Sequence, residues 1–399
     1  MNILFYQHQY PAFGGIETVT TMLANAFAAD GHKVAIVSFI HKDGADLLSR
    51  LHPSVTWHEL PEPALYSAAN LADLKAFFAD FKPDKTIFQD SYVNIQQLLF
   101  KAMGDDRPVT AEHSCPRFSL ARRTKPLSPV ELAKRVILAV MRPFAVVKRR
   151  RYEALRRRVL FDRSSAYVAL SENYRLAIEK LVGEERMDKF RVIPNPIDGK
   201  PSSEDLSGKK RQILFVGSLI VTKGVDRLVD IWARLAPRHP DWEFVVVGDG
   251  VERPRLESIV ANRNIPRVRF KGFKRDTSRY YHDAAIFAMA SDFEGWPMVL
   301  GEAMKEGCVP VVYGSFAAAT DIIDDGVNGR VIAPFDKNAY LTAMEKLMDD
   351  DATRREMASA SRVKAGKYTL DTIKKAWYDL FMGEPRNAHT AAALLRNGI

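Results

Sequence analysis

Two carboxylates bracket the predicted start of a short helix, which is a place where an anion can bind. A proline at the first position and a glycine just after the last predict a helix over Pro297–Glu306, followed by a strand over Val309–Tyr313. The residue before the helix is Trp296, rather than the Ser, Thr, Asp or Asn that would cap it. The first backbone N–H groups and the positive end of the helix dipole are therefore open to an anion.

The two carboxylates are Glu294, just before this helix, and Glu302, five residues past Pro297. At about 1.5 Å per residue, Glu302 lies roughly 7.5 Å along the helix axis. An anionic ligand over the helix start would meet one carboxylate on each side. Acidic residues near a helix start are also common because they suit the dipole, so the spacing alone leaves a structural interpretation open.

A candidate cation for the same ligand follows the predicted strand Ile213–Val216. The loop over 217–224 reads Gly-Ser-Leu-Ile-Val-Thr-Lys-Gly, and a helix is predicted directly after it. We expect Lys223 in the first turn of that helix, where a cation opposes the dipole by a few tenths of a kcal/mol unless an anion lies between them. This local conflict favours an anion site at the loop.

The amino-terminal half starts on a similar plan. A strand is predicted over Asn2–Tyr6, then a turn with Gly14 and Gly15, then a helix and a second strand over Val34–Phe39. Such units build parallel sheets that bind ligands at the carboxyl ends of their strands. A glycine pair is also what a tight turn alone requires, so this motif by itself is a weak signal.

His113 lies at the end of another predicted strand, over Pro108–Ala111. A histidine in this position is more often a hydrogen-bonded structural residue than a catalyst. Its type and place alone therefore leave both roles open.

These motifs resemble a known family. Glu294 and Glu302, with seven residues between them in the run EGWPMVLGEAMKEGCVPVV, resemble the E-x7-E motif of glycosyltransferase family 4, retaining enzymes of the GT-B fold. The loop at 14–17, Gly-Gly-Ile-Glu, is similar to the family's GG-x-E loop, and the Gly-Asp-Gly at 248–250 is similar to its GDG turn. The likeness runs in the expected order through nearly the whole chain.

The resemblance implies an α/β fold with two Rossmann-like, doubly wound parallel-sheet domains facing a central cleft. An acceptor-binding domain is expected over 1–194 and a nucleotide-sugar-binding domain over 195–371. Residues 372–399 would form a helix that returns to the first domain, and a tail.

The resemblance also implies roles for the donor-site residues. Glu294 would contact hydroxyls of the donor sugar, Glu302 would contact the ribose, and the amides near Met298 and Val299 would face the sugar or its phosphates. The matching loop of the family carries an arginine and a lysine that hold the diphosphate.

Lys223 matches that lysine, but Ser218 stands where the arginine is usual. A hydroxyl donates one hydrogen bond and adds no charge, so this departure puts donor binding in doubt. On the acceptor side, the family's loop backbone would place Gly14 and Gly15 close to the donor phosphate and the acceptor. His113 matches the active-site histidine beside the donor sugar, so Glu294 and His113 are the predicted catalytic residues.

The activity implied is transfer of a sugar, with retention, from a nucleotide diphosphosugar to a glycan or lipid-linked acceptor of a bacterial surface polysaccharide or lipopolysaccharide. UDP is the expected nucleotide because uridine sugars are the commonest donors in such families. No D-x-D element is placed to hold a metal, so a metal-independent reaction without a cofactor is expected. A sugar-nucleotide epimerase or phosphorylase of similar fold, and a non-catalytic nucleotide-sugar-binding protein, are alternatives.

The chain's positive charge is concentrated in one segment. Residues 117–163 hold 15 Lys and Arg against three acids, more than enough for the net charge of +9. Basic, partly apolar stretches can lie on an anionic leaflet, at about 1 kcal/mol per basic residue near the surface. The alternative is a helix face exposed to solvent. A nucleic-acid site is disfavoured, because the aromatic residues of this segment form no pattern on which bases could stack. We expect attachment to an anionic membrane surface.

The cysteines and the amino terminus bear on compartment. Cys115 and Cys308 match no metal-binding spacing, which is typical of free thiols in a reducing compartment. The first residues lack the basic start, apolar run and cleavage site of a signal peptide. We therefore expect a cytoplasmic protein, peripheral at the inner face of the membrane.

Overall fold

The chain divides into two units, each built on a parallel β-sheet with helices. The first unit comprises Met1–Ala169 and Tyr174–Val192, and the second comprises Leu170–Asn173 and Ile193–Ile399. This computed structural model describes residues 1–12, 14–42, 46–64, 67–90, 95–113, 147–148, 151–203 and 205–383.

The sheet of the first unit has the strand order β3-β2-β1-β4-β5-β6-β7, with all neighbours parallel. Its strands are β1 (Asn2–Gln9), β2 (Lys33–Ile40), β3 (Val55–Glu59), β4 (Lys85–Asp90), β5 (Val109–Glu112), β6 (Ala166–Ala169) and β7 (Phe190–Val192). The order reverses between β1 and β4, which makes this a doubly wound sheet. Its central strands are apolar because both faces are covered, and Ile3–Tyr6 are fully buried.

The described helices of the first unit are α1 (Gly15–Ala29), α2 (Ala68–Phe81), α3 (Gln96–Met103), α4 (151–163) and α5 (Arg175–Val182). Gly31, with a φ of 86°, follows α1 and lets the chain turn into β2. Helix α1 therefore connects the adjacent strands β1 and β2, as the sequence predicts.

The second unit repeats the architecture with the strand order β10-β9-β8-β11-β12-β13, again parallel. Its strands are β8 (Lys210–Val216), β9 (Glu243–Val247), β10 (Val268–Phe270), β11 (Ala284–Met289), β12 (Val309–Tyr313) and β13 (Arg330–Ile332). Its helices are α6 (Val225–Leu235), α7 (Arg253–Asn262), α8 (Ser278–Asp283), α9 (Met298–Lys305), α10 (Ala319–Ile322), α11 (Lys337–Asp349), α12 (Asp351–Ala365) and α13 (Leu370–Phe381).

Alternate residues of the second sheet feed two apolar cores, one on each face. On β8, Ile213 and Phe215 pack into the core with α6 and α11, while Leu214 and Val216 pack into the core with α9. Helix α9 is thereby fixed against the sheet along its buried face. This is the helix that carries the second carboxylate of the predicted site.

The predicted fold class, two Rossmann-like parallel-sheet domains, is confirmed by these two sheets. Strand β3 was missed because its sequence, VTWHE, is polar and only partly buried, so it shows no apolar run. The predicted return of 372–399 to the first unit stays a prediction, and residues 384–399 lie outside the described part of the chain.

Candidate active site

The loop that carries the predicted phosphate-binding cation is held by the Gly-Asp-Gly turn at 248–250. The Leu219 N–H donates to the Asp249 carbonyl at 2.8 Å, and the Glu252 N–H donates back to the Leu219 carbonyl at 2.9 Å. Gly248 and Gly250 have φ values of 138° and 156°, and a Cβ on either would lie 1.9 Å or 2.4 Å from a loop carbonyl oxygen. Only glycine allows the two backbones to approach so closely.

Lys223 is the last residue of a 3₁₀ turn, Val221–Lys223, and precedes α6. The expectation that it lies in the first turn of the helix is wrong, because Gly224 (φ 63°) turns the chain between the lysine and Val225. Instead, its Nζ lies 2.7 Å from the Glu294 Oε1. The Lys223 side chain is 28% exposed and the Glu294 side chain 11% exposed, so the ion pair is mostly buried and solvent reaches it mainly from the lysine side.

Three further hydrogen bonds hold the segment that contains Glu294 against this loop and the start of α6. The Asp292 N–H donates to the Thr222 carbonyl at 2.8 Å. The Arg227 guanidinium donates to the Ala290 carbonyl at 2.6 Å and to the Asp292 carboxylate at 2.5 Å. The guanidinium of Arg227 is thus already hydrogen-bonded within this segment, so it does not take the place of the family arginine that Ser218 replaces.

Helix α9 begins at Met298, one residue later than predicted. Pro297 is its N-cap residue, in an extended conformation with ψ 110°. Within the described part of the chain, no side chain caps this helix, as the sequence predicts. Met298 and Val299 form its partly buried first turn. Their position at an uncapped, electropositive helix end suits a negatively charged ligand.

Glu302 lies one turn further along α9 and is half-buried. Its Oε2 accepts a hydrogen bond from the Tyr281 hydroxyl at 2.8 Å. Burial raises the pKa of Glu302, while the Tyr281 hydroxyl and the Lys305 ammonium act in the opposite direction. Tyr281 was not predicted, since only the tertiary structure brings α8 beside α9.

Ser218 lies exposed near the start of this loop, one residue after Gly217. Its carbonyl accepts a backbone hydrogen bond from Ile220 at 3.0 Å. The structure therefore brings Lys223 to Glu294 directly and places Ser218 on the same loop, while Glu302 contacts Tyr281 on α8.

The glycine pair of the first unit lies at the start of α1. Gly15 is the first helical residue, and Gly14 is an extended N-cap residue. The Glu17 carboxylate folds back so closely that a Cβ on Gly14 would lie 2.2 Å from its Oε2. Burial raises the pKa of Glu17. Gly14 and Gly15 are exposed, so their backbone is accessible at the carboxyl end of β1.

His113 follows β5 and is half-buried. Its Nε2 forms a short hydrogen bond with the side-chain oxygen of Gln89, which is fully buried near the end of β4. Because β4 and β5 are adjacent and parallel, both residues lie at the carboxyl edge of the sheet. Gln89 was missed by sequence reasoning, since a single glutamine in an apolar strand gives no signal of this pairing.

The described part of the basic segment corrects one expectation. Arg156 and Arg157 are buried and form ion pairs with the carboxylate of Glu112 and with Glu153. These two arginines keep the pKa of Glu112 well below its usual value, although burial alone would raise it. They therefore stabilise the first unit and are not available to a membrane surface.

Another face of α4 is exposed. Tyr152, Leu155 and Val159 are 43%, 61% and 46% exposed and share one side of the helix, where Arg151 and Arg158 are also exposed. Residues 117–146 and 149–150 lie outside the described residues. Among the helices that the structure describes, none is both long and apolar enough to cross a bilayer.

Two doubly wound units in one chain are characteristic of the GT-B fold. The crystal structure of Anabaena HepE in complex with UDP matches with a TM-score of 0.73 and 19% sequence identity, over 96% of this chain and 100% of that chain. Two family models also match, "Glycosyltransferase Family 4" over residues 13–200 and "Glycosyl transferases group 1" over residues 197–364. The chain belongs to the group 1, family 4 glycosyltransferases.

Curated relatives agree with this assignment. An uncharacterized glycosyltransferase of Haemophilus influenzae is 27% identical over 202 residues, covering 50% of this chain and 57% of that protein. An alpha-1,4-N-acetyl-D-galactosaminyltransferase of Campylobacter jejuni, whose name gives a PP-undecaprenol-linked glycan as its acceptor, is 23% identical over 94% of this chain and 96% of that protein. The chain spans between about a quarter and just over half the length of most of the relatives reported for it, the Haemophilus influenzae protein included.

Proposed function

We propose that this chain is a retaining glycosyltransferase that moves a sugar from a nucleotide diphosphosugar, with UDP as the nucleotide, to a lipid-linked or polysaccharide acceptor. The product would be a bacterial capsule, exopolysaccharide or lipopolysaccharide. The observation that carries the proposal is the contact of Lys223 with Glu294 on the loops that precede α6 and α9. It combines a cation for a diphosphate with a carboxylate for sugar hydroxyls.

The donor would bind to the second unit. The ammonium of Lys223 and the uncapped amides at Met298 and Val299 would face the diphosphate, because all of them are electropositive. Glu294 would accept hydrogen bonds from hydroxyls of the sugar, and Glu302 would accept them from the ribose. Support comes from the mostly buried position of the Glu294 side chain, since a carboxylate screened from water holds a hydroxyl more tightly.

The chemical step would proceed on one face of the sugar. The bond between the anomeric carbon and the phosphate oxygen breaks, its electron pair goes to the phosphate, and the acceptor oxygen bonds to the same face of that carbon. The departing phosphate takes the acceptor's proton. Lys223 and the start of α9 would stabilise the negative charge that develops on the leaving diphosphate, which is a preorganised electrostatic effect.

We propose that this reaction needs no metal ion, because Lys223 and the helix amides supply the positive charge at the leaving group. Transfer rates measured with and without a chelator such as EDTA are expected to agree. A loss of activity on chelation, restored by a divalent cation, would contradict metal independence and leave the donor assignment to be tested separately.

The acceptor would bind to the first unit, with the backbone of Gly14 and Gly15 and the ring of His113 at the carboxyl edge of the sheet. The exposed face of α4 would hold the protein on an anionic membrane at the cytoplasmic side. It combines apolar Tyr152 and Leu155 with basic residues, as interfacial helices do. A nucleic acid is not among the proposed partners.

A non-catalytic donor-binding protein is a second candidate, because one observation favours it. Ser218 supplies no charge, and the nearby Arg227 is already bonded to Asp292 and to the Ala290 carbonyl. Lys223 is thus the cation left on this loop for a diphosphate. Such a protein would bind nucleotide sugars without turning them over.

A screen of nucleotide sugars for binding and slow hydrolysis tests the proposal and separates the two candidates. The enzyme is expected to bind at least one UDP-sugar and to release UDP from it slowly in the absence of acceptor. Binding without release, even with lipid-linked acceptors added, would favour the non-catalytic protein. The absence of binding to every uridine, guanosine and adenosine sugar would overturn both.

A further inference from the structure

Tyr281 is a buried side chain that contacts the proposed donor site but has no part in the function proposed above. It lies on α8, is 2% exposed, and its hydroxyl donates to the Glu302 Oε2 at 2.8 Å. Its ring packs against Phe287 of β11, with ring centroids 6.1 Å apart. The hydroxyl is thus fixed in place by the sheet rather than by α9.

The main chain of Tyr281 is anchored as well. Its carbonyl accepts hydrogen bonds from the Lys209 Nζ at 2.8 Å and from the Cys308 Sγ at 3.0 Å. Lys209 precedes β8 and Cys308 precedes β12, so both donors are attached to central strands of the sheet. A residue held at both its carbonyl and its ring can orient a neighbour accurately.

Glu302 itself has one oxygen held and one open. Its Oε1 accepts no hydrogen bond from any residue that the structure describes, and the side chain is only half-buried. Two other charged groups act on this carboxylate, Lys305 and Asp198, and neither is hydrogen-bonded to it. Tyr281 is therefore the group in the described structure that sets its orientation.

We infer that Tyr281 is a positioning residue that aims the free oxygen of Glu302 at the ribose hydroxyls of the donor, and so makes the site selective for ribonucleotides. The inference rests on the proposed function, in which Glu302 contacts the ribose. Without the tyrosine hydroxyl, Glu302 could rotate on α9, and its hydrogen bond to the ribose would lose both strength and direction.

The test compares binding of UDP and 2′,3′-dideoxy-UDP, with GDP and its dideoxy form as a second pair, by calorimetry. Tyr281→Phe removes one oxygen atom and keeps the ring. Tyr340→Phe is the matched control, because Tyr340 is also buried in this unit and donates to the Val311 carbonyl at 2.6 Å, away from Glu302.

The wild-type protein is expected to bind the ribonucleotide more tightly than the dideoxy form. Tyr281→Phe should weaken ribonucleotide binding about five- to tenfold, the effect of losing one well-placed hydrogen bond, and leave dideoxy binding nearly unchanged. Tyr340→Phe should change neither. In a Glu302→Ala background, Tyr281→Phe should have no further effect, since a positioning residue acts only through its partner.

A pH series provides a readout that a merely structural role would not change. The Tyr281 hydroxyl lowers the pKa of Glu302, so its removal raises that pKa further. The loss of ribonucleotide affinity on acidification should therefore set in at a higher pH in Tyr281→Phe than in the wild type or Tyr340→Phe. Identical pH profiles in all three proteins would overturn the inference.

The remaining outcomes separate the inference from the proposed function. If the wild type binds neither UDP nor GDP, the proposed function fails. If it binds them and Tyr281→Phe behaves like Tyr340→Phe, or if ribose and dideoxyribose bind equally well, the inference is wrong and donor binding stands. If Tyr281→Phe does not fold, Glu302→Asp replaces it, because the shorter side chain no longer reaches the Tyr281 hydroxyl. This variant must lose the preference for UDP over 2′,3′-dideoxy-UDP, and a retained preference would overturn the inference.

Discussion

Replacement of Ser218 by arginine should strengthen donor binding. In this loop the cation available to a diphosphate is Lys223, and its charge is partly offset by the Glu294 carboxylate 2.7 Å away. Ser218 is exposed, and its backbone carbonyl bond to Ile220 does not involve the side chain. Ser218→Arg therefore adds a guanidinium without breaking a described contact.

The size of the effect follows from the exposure of the site. A hydrogen bond to a charged group contributes about 1.5–3 kcal/mol when it is protected from water. Because position 218 is exposed, solvent reduces this figure, and we expect about 1.4 kcal/mol, a tenfold fall in the Kd for UDP. The gain should shrink in about 1 M salt, where the Debye length falls to roughly 3 Å.

Calorimetry with UDP at low and high salt measures both quantities. Ser258→Arg is the matched control, because Ser258 is an exposed serine of the same unit on α7, and its substitution adds the same charge away from the loop. We expect this control to bind UDP as the wild type does. An unchanged or weaker affinity in Ser218→Arg would refute the assignment of the loop to the diphosphate.

Three further predictions concern the first unit. Arg157→Met should lower the free energy of unfolding, measured with urea, by about 3–5 kcal/mol, because it leaves the buried Glu112 carboxylate with one ion-pair partner fewer. Glu112→Gln in the same background should recover part of this loss. The pKa of Glu112 is lower in the folded state than its ordinary value of 4.5, so the ion pair stabilises the protein fully above pH 4.5 and ceases to do so as the pH falls through the folded-state pKa. The loss of unfolding free energy in Arg157→Met, measured across a pH series, should therefore become smaller in acid. The double variant Arg151→Glu and Arg158→Glu should reduce sedimentation with anionic liposomes at low salt more than Arg157→Met does, and equal sedimentation of both variants would contradict a membrane role for α4.

Much of the fold could be predicted from local sequence because its strands are buried on both faces. Such strands appear as apolar runs, and β12 was predicted over Val309–Tyr313, its observed bounds. Strand β3 was missed because a partly exposed strand at the edge of the sheet needs no such run. The periodicity of the sequence reports burial, so it finds central strands better than edge strands.

The candidate site could be predicted only as separate pieces. The sequence indicated Lys223 and Glu294 individually, but they are 71 positions apart, and nothing local predicts that they form an ion pair. The turn at Gly224 also moved Lys223 out of the helix in which we expected it. Pairings of this kind depend on how loops from neighbouring strands meet at the edge of the sheet.

In the basic segment, the sequence predicted a surface position for arginines that are in fact buried. A run of arginines predicts a solvated or membrane-facing surface, because arginine is rarely buried without a partner. Besides Glu153 on the same helix, Arg157 pairs with Glu112, which lies 45 positions earlier on strand β5, so its burial could not be predicted from the run itself. Among the described residues, the membrane hypothesis is now supported by the exposed residues on the other side of α4.

The most direct test of the donor site is the turnover of a bound nucleotide sugar by Glu294→Gln. UDP lacks the donor sugar that Glu294 would contact, so the variant should still bind UDP. Its kcat/KM for transfer or hydrolysis should fall about 100-fold, because the sugar is no longer held in the reactive position. Glu257→Gln, a control that removes a partly exposed carboxylate on α7, should keep wild-type turnover. Full activity in Glu294→Gln would contradict the account.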